Sequence, residues 1–167
     1  MEFIHKPVML NECIDGLDIK PDGIYIDGTA GGGGHSSVIA SKLTTGKLIA
    51  LDKDPDAISV LKQRLPDASV VQTDFRNMKS VLDEMNIQAV DGVLLDLGVS
   101  SHQLDVATRG FSYNLDAPLD MRMAQTGVSA HTIVNTYSKE DLTDILFKYG
   151  EESYARSIAN AIVKARE

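Results

Sequence analysis

The residues from Asp27 to His35, read as Asp-Gly-Thr-Ala-Gly-Gly-Gly-Gly-His, have the composition of a loop that holds a small molecule. This glycine bend follows a short apolar segment at 24–26 and precedes a stretch with helical character at 36–43. Glycine has no Cβ, so its backbone can approach a ligand closely and can adopt a positive φ. Between the first strand and first helix of an α/β fold, such a loop holds a nucleotide-like cofactor.

Two aspartates have the spacing of partners for this loop. Asp52 lies about 20 residues after the glycines, where an acidic side chain accepts ribose hydroxyl groups in nucleotide-binding folds. The alternative is a solvated strand end or a helix cap, although Asp54 is better placed for the cap. Asp96 is followed by Leu-Gly-Val-Ser-Ser, so small residues would let a substrate come close. The alternative interpretation of Asp96 is a residue that caps the end of a strand.

Phe75 is a candidate for contact with the adenine of a bound cofactor. Asp74 and Phe75 follow a predicted strand at 68–72, where a ring can cover an adenine. An ordinary core aromatic is the alternative interpretation of Phe75.

The spacing of the bend distinguishes between cofactors. The dinucleotide fingerprint G-x-G-x-x-G fails, because its third glycine falls on Ser36, and no Gly-Lys-Ser/Thr of a P-loop follows. The pattern D-x-[GT]-x-G-x-G fits instead, with Asp27, Thr29, Gly31 and Gly33. It resembles motif I of class I S-adenosylmethionine-dependent methyltransferases, whose cofactor has no phosphates and has a cationic end that suits a carboxylate at Asp27.

Four short apolar segments are predicted to be the strands that position these residues: 24–27, 47–52, 68–72 and 92–97. Unbroken apolar runs suit strands that are buried on both faces. Helices are predicted between them, one beginning at Asp54-Pro55 and ending near residue 65, and one over 76–85. Alternating strands and helices imply a parallel sheet with right-handed crossovers.

After Ser101 the alternation stops, and residues 102–128 are predicted to be an irregular loop. Helices are expected at 131–136, capped by Ser129, then after a capping Ser138, and finally over 153–166. The apolar side chains expected to face inward on the last two helices are Leu142, Ile145, Leu146, Tyr149, Ile158 and Ile162.

The composition limits the function classes. The chain has 167 residues, 43% of them hydrophobic, and a net charge of −8, which argues against tight non-specific nucleic-acid binding but permits an RNA bound through a local patch. Cys13 is the single cysteine, which excludes an internal disulfide and a cysteine metal cluster; no metal site is expected. With no membrane span and no signal peptide recognisable, a cytoplasmic protein without a membrane partner is expected.

Several longer blocks resemble one family. Besides the glycine bend, these are Leu95-Asp-Leu-Gly-Val-Ser-Ser101, Arg109-Gly-Phe-Ser112 and Pro118-Leu-Asp-Met-Arg-Met123. Together they look like the MraW/RsmH family of bacterial methyltransferases, which act on the N4 atom of a cytosine in 16S ribosomal RNA. The resemblance runs from His5 to Glu167. The family's proteins are longer, so it implies the N-terminal part of such a protein.

The resemblance also implies site residues and partners. Gly33, Gly34 and His35 would hold the methionyl end of S-adenosyl-L-methionine, Asp52 the ribose and Phe75 the adenine, while Asp96 and Gln103 would complete the pocket. The partner would be 16S ribosomal RNA or the small ribosomal subunit, and a homodimer is an option.

The resemblance further implies the domain organisation. Residues 1–103 would form the Rossmann-like methyltransferase sheet, with its first four strands only, and residues 104–167 would begin a helical substrate-recognition insert. The remaining strands of the sheet would lie outside this chain.

Methyl transfer to an exocyclic amine gives further residues a role. An acceptor aimed at the N4 hydrogens would favour the geometry in which the nitrogen lone pair is free, and Asp96 is the candidate. Asp96-Leu-Gly-Val departs from the Asp-Pro-Pro-Tyr of many amino-methyltransferases, so the alternative role for Asp96 is cofactor binding alone. The target base would have to be unpaired or flipped out.

Arg109 and Arg122 are candidates for RNA phosphates, with an ion pair to Asp105, Asp116 or Asp120 as the alternative. Phe111 and Tyr113 are candidates for base stacking, with simple packing as the alternative. His5 and His102 have no feature that selects them as acid–base groups. Two other functions stay open: a nucleotide-dependent oxidoreductase of the NAD type, and a non-catalytic fragment that binds RNA or cofactor.

Overall fold

The computed structural model describes residues 7–166, and within them the chain divides into two compact units between His102 and Gln103. His5 therefore lies outside the described residues. The first unit contains a four-stranded sheet and the second is helical. The predicted domain boundary at residue 103 is close to this division, but the assignment of the second unit as a substrate-recognition insert stays a prediction.

The sheet of the first unit is entirely parallel, with the strand order β3-β2-β1-β4. Its strands are β1 (Ile24–Asp27), β2 (Lys47–Asp52), β3 (Ser69–Gln72) and β4 (Gly92–Leu94). In this register Ile26 lies beside Ile49 on one side and Val93 on the other. The prediction of a Rossmann-like parallel α/β sheet is confirmed, and the strand order reverses between β1 and β4.

Helices cover both faces of this sheet. They are α1 (Leu10–Leu17), α2 (Gly34–Lys42), α3 (Pro55–Arg64) and α4 (Met78–Glu84). Tyr25 and Leu48 point to a core that also holds residues of α1, α2 and α3, whereas Ile26 and Ile49 point to the side of α4. Because successive side chains of a strand point to opposite faces, both central strands are buried on both sides, as their apolar runs predict.

Several elements of the first unit differ from the sequence prediction. The fourth strand ends at Leu94 rather than at residue 97. Beyond Leu94, the amide of Asp96 donates a hydrogen bond to the side chain of Thr29 instead of to the backbone of a neighbouring strand. A 3-10 turn over Phe75–Asn77 precedes α4, which delays the predicted start of that helix. The helix α1 was not predicted from the sequence.

The second unit contains α6 (Ala130–Thr136), α7 (Lys139–Gly150) and α8 (Ala155–Ala165), while α5 (Ser101–Asp105) contains the boundary between the units. Both predicted serine caps are confirmed: Ser129 Oγ accepts the amide hydrogen of Thr132 at 3.1 Å, and Ser138 Oγ accepts that of Asp141 at 3.0 Å. Within residues 7–166, no helix has both the length and the apolar character needed to cross a bilayer.

Some details of the second unit correct the sequence prediction. Residues 102–128 are not wholly irregular, since they include most of α5 and a 3-10 turn over Ala107–Arg109. Leu142 is buried as expected, but Tyr149 is 84% exposed. Ile158 is also exposed, and Ala155 and Ala159 are the buried residues of α8. Small side chains one turn apart let α8 approach α7 closely, so the larger isoleucine is displaced from the contact.

Candidate active site

The carboxyl ends of the parallel strands meet at one edge of the sheet, and backbone bonds join the glycine bend to that edge. The amide of Gly28 donates to Leu94 O at 2.9 Å, which ties the start of the bend to the end of β4. The amide of Ala30 donates to Leu51 O at 3.0 Å, which ties it to β2. The structure therefore brings the bend to the strand-order reversal, where open α/β sheets bind their ligands.

Asp27 holds the shape of the bend from inside. Its carboxylate is buried, with Oδ1 accepting from Thr29 N at 3.1 Å and Oδ2 from Ser36 Oγ at 2.6 Å. Burial raises the pKa of Asp27 above its ordinary value, and the hydrogen bonds from Ser36 and Thr29 oppose that shift. A direct contact between Asp27 and the cationic end of a cofactor stays a prediction.

Asp52 lies at the end of β2 and faces the bend. Its Oδ2 accepts from the amide of Gly31 at 2.8 Å, and its Oδ1 accepts from the amide of Asp54 at 2.8 Å. Partial burial raises the pKa of Asp52, against the effect of these two backbone bonds. A carboxylate offers about four lone-pair positions, so this one can accept further hydroxyl groups while it holds the bend.

The glycines leave the inner side of the bend open. Gly31 has φ 51° and Gly33 has φ 83°, conformations that strain other residues. A Cβ on Gly31 would meet only Thr29 O, at 3.9 Å, so this position faces free space. Gly33 caps α2, and among the described residues no side chain accepts from the amides of its first turn. The start of a helix suits an anionic group, and the binding of such a group here stays a prediction.

The His35 side chain turns away from this turn. Its ring is buried, and Nε2 lies 3.1 Å from Val8 O. A Cβ on Gly34 would collide with Pro7, so the segment after residue 6 covers this side of α2. If His35 contributes to cofactor binding in this arrangement, it does so through its backbone amide.

Phe75 reaches the same edge from β3. It begins a 3-10 turn capped by Asp74, whose Oδ1 accepts from Arg76 N at 3.0 Å. A Cβ built on Gly28 would lie 3.1 Å from Phe75 Cβ, so the aromatic residue packs against the start of the bend. Arg76, chiefly through its side-chain hydrogen bonds, lowers the pKa of Asp74. The stacking of Phe75 on an adenine stays a prediction.

Asp96 completes the edge beyond β4. Its amide donates to Thr29 Oγ1 at 2.7 Å, and the residue is exposed. The backbone is thereby fixed to the bend while the carboxylate faces solvent. The catalytic role of Asp96 stays a prediction, as does its contact with a cofactor.

Three candidate residues of the second unit are Gln103, Arg109 and Arg122. Gln103 is buried in α5. Arg109 is buried as well, and its Nη2 donates to Arg122 O at 3.1 Å and Met123 O at 2.9 Å. Arg122 forms an ion pair with Asp120, with 2.6 Å between Nη2 and Oδ2. This pair is the alternative role that the sequence analysis left open for Arg122. Hydrogen bonds from the Arg122 side chain lower the pKa of Asp120.

The two aromatic candidates differ in exposure: Phe111 is half-buried, and Tyr113 is 97% exposed. Their stacking on a base stays a prediction.

Thr29 and Ser36 are the residues of the bend whose side-chain roles the sequence did not reveal. Their hydroxyl groups bond to Asp96 N and to the Asp27 carboxylate, respectively. The signal for Ser36 is its position in the first turn after the glycines, where a hydroxyl group can turn back to the strand end. Thr29 gave no such signal, because its partner is 67 residues away.

Within residues 7–166, no three His, Cys, Asp or Glu side chains cluster as a metal site would require.

A parallel sheet of order β3-β2-β1-β4, with a glycine bend and strand-ending aspartates at its carboxyl edge, defines a Rossmann-like α/β fold. A family model described as the MraW methylase family matches residues 2–167. The chain belongs to this family.

Relatives of known name support the assignment. Ribosomal RNA small subunit methyltransferase H of Lachnospira eligens is 53% identical over 173 residues, and that of Finegoldia magna is 51% identical over 172. Each match covers 100% of this chain and 55% of the relative, so the chain spans about half the length of the curated relatives it matches. An rRNA methylase structure from Streptococcus thermophilus overlaps 58% of the chain and 58% of its own, with 19% identity and a TM-score of 0.43.

Proposed function

We propose that the protein transfers a methyl group from S-adenosyl-L-methionine to the N4 atom of a cytosine in small-subunit ribosomal RNA. The observation that carries this proposal is the family match over residues 2–167. The names of the relatives support ribosomal RNA as the substrate class. A ribosomal RNA substrate would place the protein in the cytoplasm.

The residues at the carboxyl edge fit this cofactor. The bare amides of the first turn of α2 suit the carboxylate of its methionyl group, and the open side of Gly31 leaves room for its chain. The remaining lone pairs of Asp52 suit a ribose diol, and Phe75 offers an apolar face for adenine. When bound, S-adenosylmethionine supplies a methyl group on a sulfonium, which is a good leaving group.

The chain's own residues would position the acceptor base. The exposed Asp96 carboxylate would accept a hydrogen bond from the exocyclic amine, which favours the geometry in which the nitrogen lone pair is free to attack. Thr29 fixes the Asp96 backbone, so the acceptor would be held in place rather than carried on a loose loop. Because a base that is paired and stacked inside a duplex cannot reach the reacting methyl group, the target cytosine would enter unpaired or flipped out.

The two arginines proposed to contact RNA phosphates differ in accessibility. Arg109 is buried, whereas Arg122 pairs with Asp120 and its side chain is 31% exposed, so contact of either with RNA stays a prediction. The exposed Tyr113 ring is the better candidate for contact with a base.

The proposal is tested in two steps on the protein. Equilibrium binding of S-adenosylmethionine is compared with that of NAD, and labelled methyl transfer is then followed to naked small-subunit RNA and to assembled subunits. We expect preference for S-adenosylmethionine and N4-methylcytidine in the digested RNA. A preference for NAD would indicate an oxidoreductase. Cofactor binding without transfer to either substrate would indicate a non-catalytic binding protein, and a methyl group on another atom would refute the N4 assignment.

A further inference from the structure

One contact between a histidine and a carboxylate in the first unit joins the segments that follow β2 and β4. Asp56 lies in the first turn of α3, His102 lies in α5, and His102 Nε2 is 3.4 Å from Asp56 Oδ2. The two strands are not neighbours, because β1 lies between them. A contact between the segments that follow them therefore joins the two sides of the strand that leads into the glycine bend.

We propose that His102 and Asp56 form a strap across the cofactor cleft, the space at the carboxyl edge between Asp52, the bend and Asp96. In this arrangement His102 is a positioning residue, which acts by keeping the segment after Asp96, residues 97–101, closed over the cofactor. The inference rests on the proposed use of S-adenosylmethionine, and it assigns a role to two residues that do not belong to the binding motifs.

The Asp56 end of the strap is firmly attached to the cofactor edge. The amide of Asp56 donates to Asp54 Oδ1 at 3.1 Å, which caps α3, and the amide of Asp54 donates to Asp52 Oδ1 at 2.8 Å. A short chain of hydrogen bonds therefore leads from the strap to the proposed ribose-binding carboxylate.

The His102 end lies at the far end of a segment that carries exposed apolar side chains. Between Asp96 and His102, Leu97 is 68% exposed and Val99 is also exposed. Gly98 has φ 145°, and a Cβ there would meet no described atom within 4 Å. A segment with exposed apolar side chains and an open glycine is more easily displaced than a packed one, so a contact at its far end lowers the frequency of opening.

The expected energetic effect is modest and mainly kinetic. The His102 and Asp56 side chains are 26% and 45% exposed, and partly exposed ion pairs contribute little in water. A strap that must open before the cofactor leaves affects the dissociation rate more than the association rate. We expect a roughly threefold faster dissociation of S-adenosylmethionine when the pair is broken.

The test is a double-mutant cycle with His102→Gln, Asp56→Asn and the combined variant, in which stopped-flow measurements give the dissociation rate of S-adenosylmethionine. Each single variant should release the cofactor faster, and the combined variant no faster than either. His102→Arg places a hydrogen-bond donor with a permanent charge opposite Asp56 and should give slow release like that of the wild type. Lys79→Gln breaks the exposed Lys79–Asp83 pair of α4 and should leave release unchanged.

Additive effects, or equal loss in the Arg and Gln variants, would overturn the strap. A second measurement works without cofactor: amide hydrogen exchange over 97–101 should be faster in His102→Gln than in the wild type. Equal exchange would also overturn the proposal. If the wild type binds no S-adenosylmethionine at all, the proposed function fails, whereas the exchange comparison still shows whether the strap closes this segment.

Discussion

Asp27 and Asp52 carry out different tasks at the same sheet edge. Asp27 is enclosed and bonds to Thr29 and Ser36 of its own bend, whereas Asp52 is only partly buried and reaches the bend from the neighbouring strand. Burial raises the pKa of both carboxyl groups. Their substitution should therefore separate an effect on folding from an effect on binding.

The substitution Asp52→Ala should weaken S-adenosylmethionine binding by at least about tenfold, because hydrogen bonds to a charged group contribute roughly 1.5–3 kcal/mol. The fold should survive, since the strand pairs of β2 do not involve this side chain. Calorimetric titration together with urea unfolding measures both quantities. Asp67→Ala, an exposed aspartate after α3, is the matched control. Unchanged affinity in Asp52→Ala would remove this residue from the site.

The substitution Asp27→Asn should change how stability depends on pH. Because the folded pKa of Asp27 lies above its ordinary value of 3.8, its contribution to stability is fully present below that pH and is lost as the pH rises through the folded pKa. The Asn side chain does not titrate. The free energy of unfolding of the wild type, minus that of the variant, should therefore fall as the pH rises from about 4. A difference that grows with pH would contradict the assigned burial effect.

At the scale of elements, the turn from β1 into α2 depends on a backbone that only glycine adopts easily. Gly33→Ala places a Cβ at φ 83° and 3.2 Å from Leu61 Cδ2. We expect a loss of about 1–2 kcal/mol in the free energy of unfolding, and weaker cofactor binding as the first turn of α2 shifts.

Gly150→Ala is the contrasting variant, because its Cβ at the end of α7 would meet no described atom within 4 Å. It should leave stability unchanged or raise it by up to about 1 kcal/mol, since alanine favours helix. Denaturant unfolding of both variants tests the pair. Equal losses at the two positions would show that glycine as such, rather than the backbone of the bend, is required.

The elements that the sequence predicts well are those with a local cause. Lys47–Asp52 is recovered because an unbroken apolar run needs burial on both faces, and α3 because Asp54 and Pro55 mark its start. The five-residue α5 lacks such signals. The contact of Ala155 and Ala159 with α7 was also missed, because apolar size was used as the guide and close packing of helices favours small side chains.

The same distinction applies to the candidate site. Local sequence patterns were enough to identify the bend and Asp52. The Arg122–Asp120 pair was also open to prediction, because it joins residues two positions apart. The bonds from Thr29 to Asp96 and from His102 to Asp56 connect distant segments. No single stretch of sequence carries that information, since it arises only when the strands pair.

At the scale of the whole molecule, the two units are expected to respond to substitution separately. Arg109→Ala leaves the carbonyl groups of Arg122 and Met123 without a buried donor, which should destabilise the second unit by about 1–3 kcal/mol. Hydrogen exchange measured by mass spectrometry should quicken over 106–136 and remain slow in β1 and β2.

Arg109→Lys should give a smaller loss, because it keeps a donor but not the planar guanidinium. Arg156→Ala, at an exposed position of α8, serves as the control. Faster exchange in the central strands of the sheet would show that the units unfold together rather than separately.

The pairing of β1 with β4 has a consequence for the order of events during folding. β1 and β2 pair over a short stretch of chain, but the bond from Asp96 to Thr29 closes a loop of 67 residues. Closing a longer loop costs more chain entropy, so near-neighbour strands are expected to associate earlier. During synthesis on the ribosome, the glycine bend would emerge well before the segment that completes it. Competence to bind a ligand would then arise late, in a nascent chain whose first three strands are already in place.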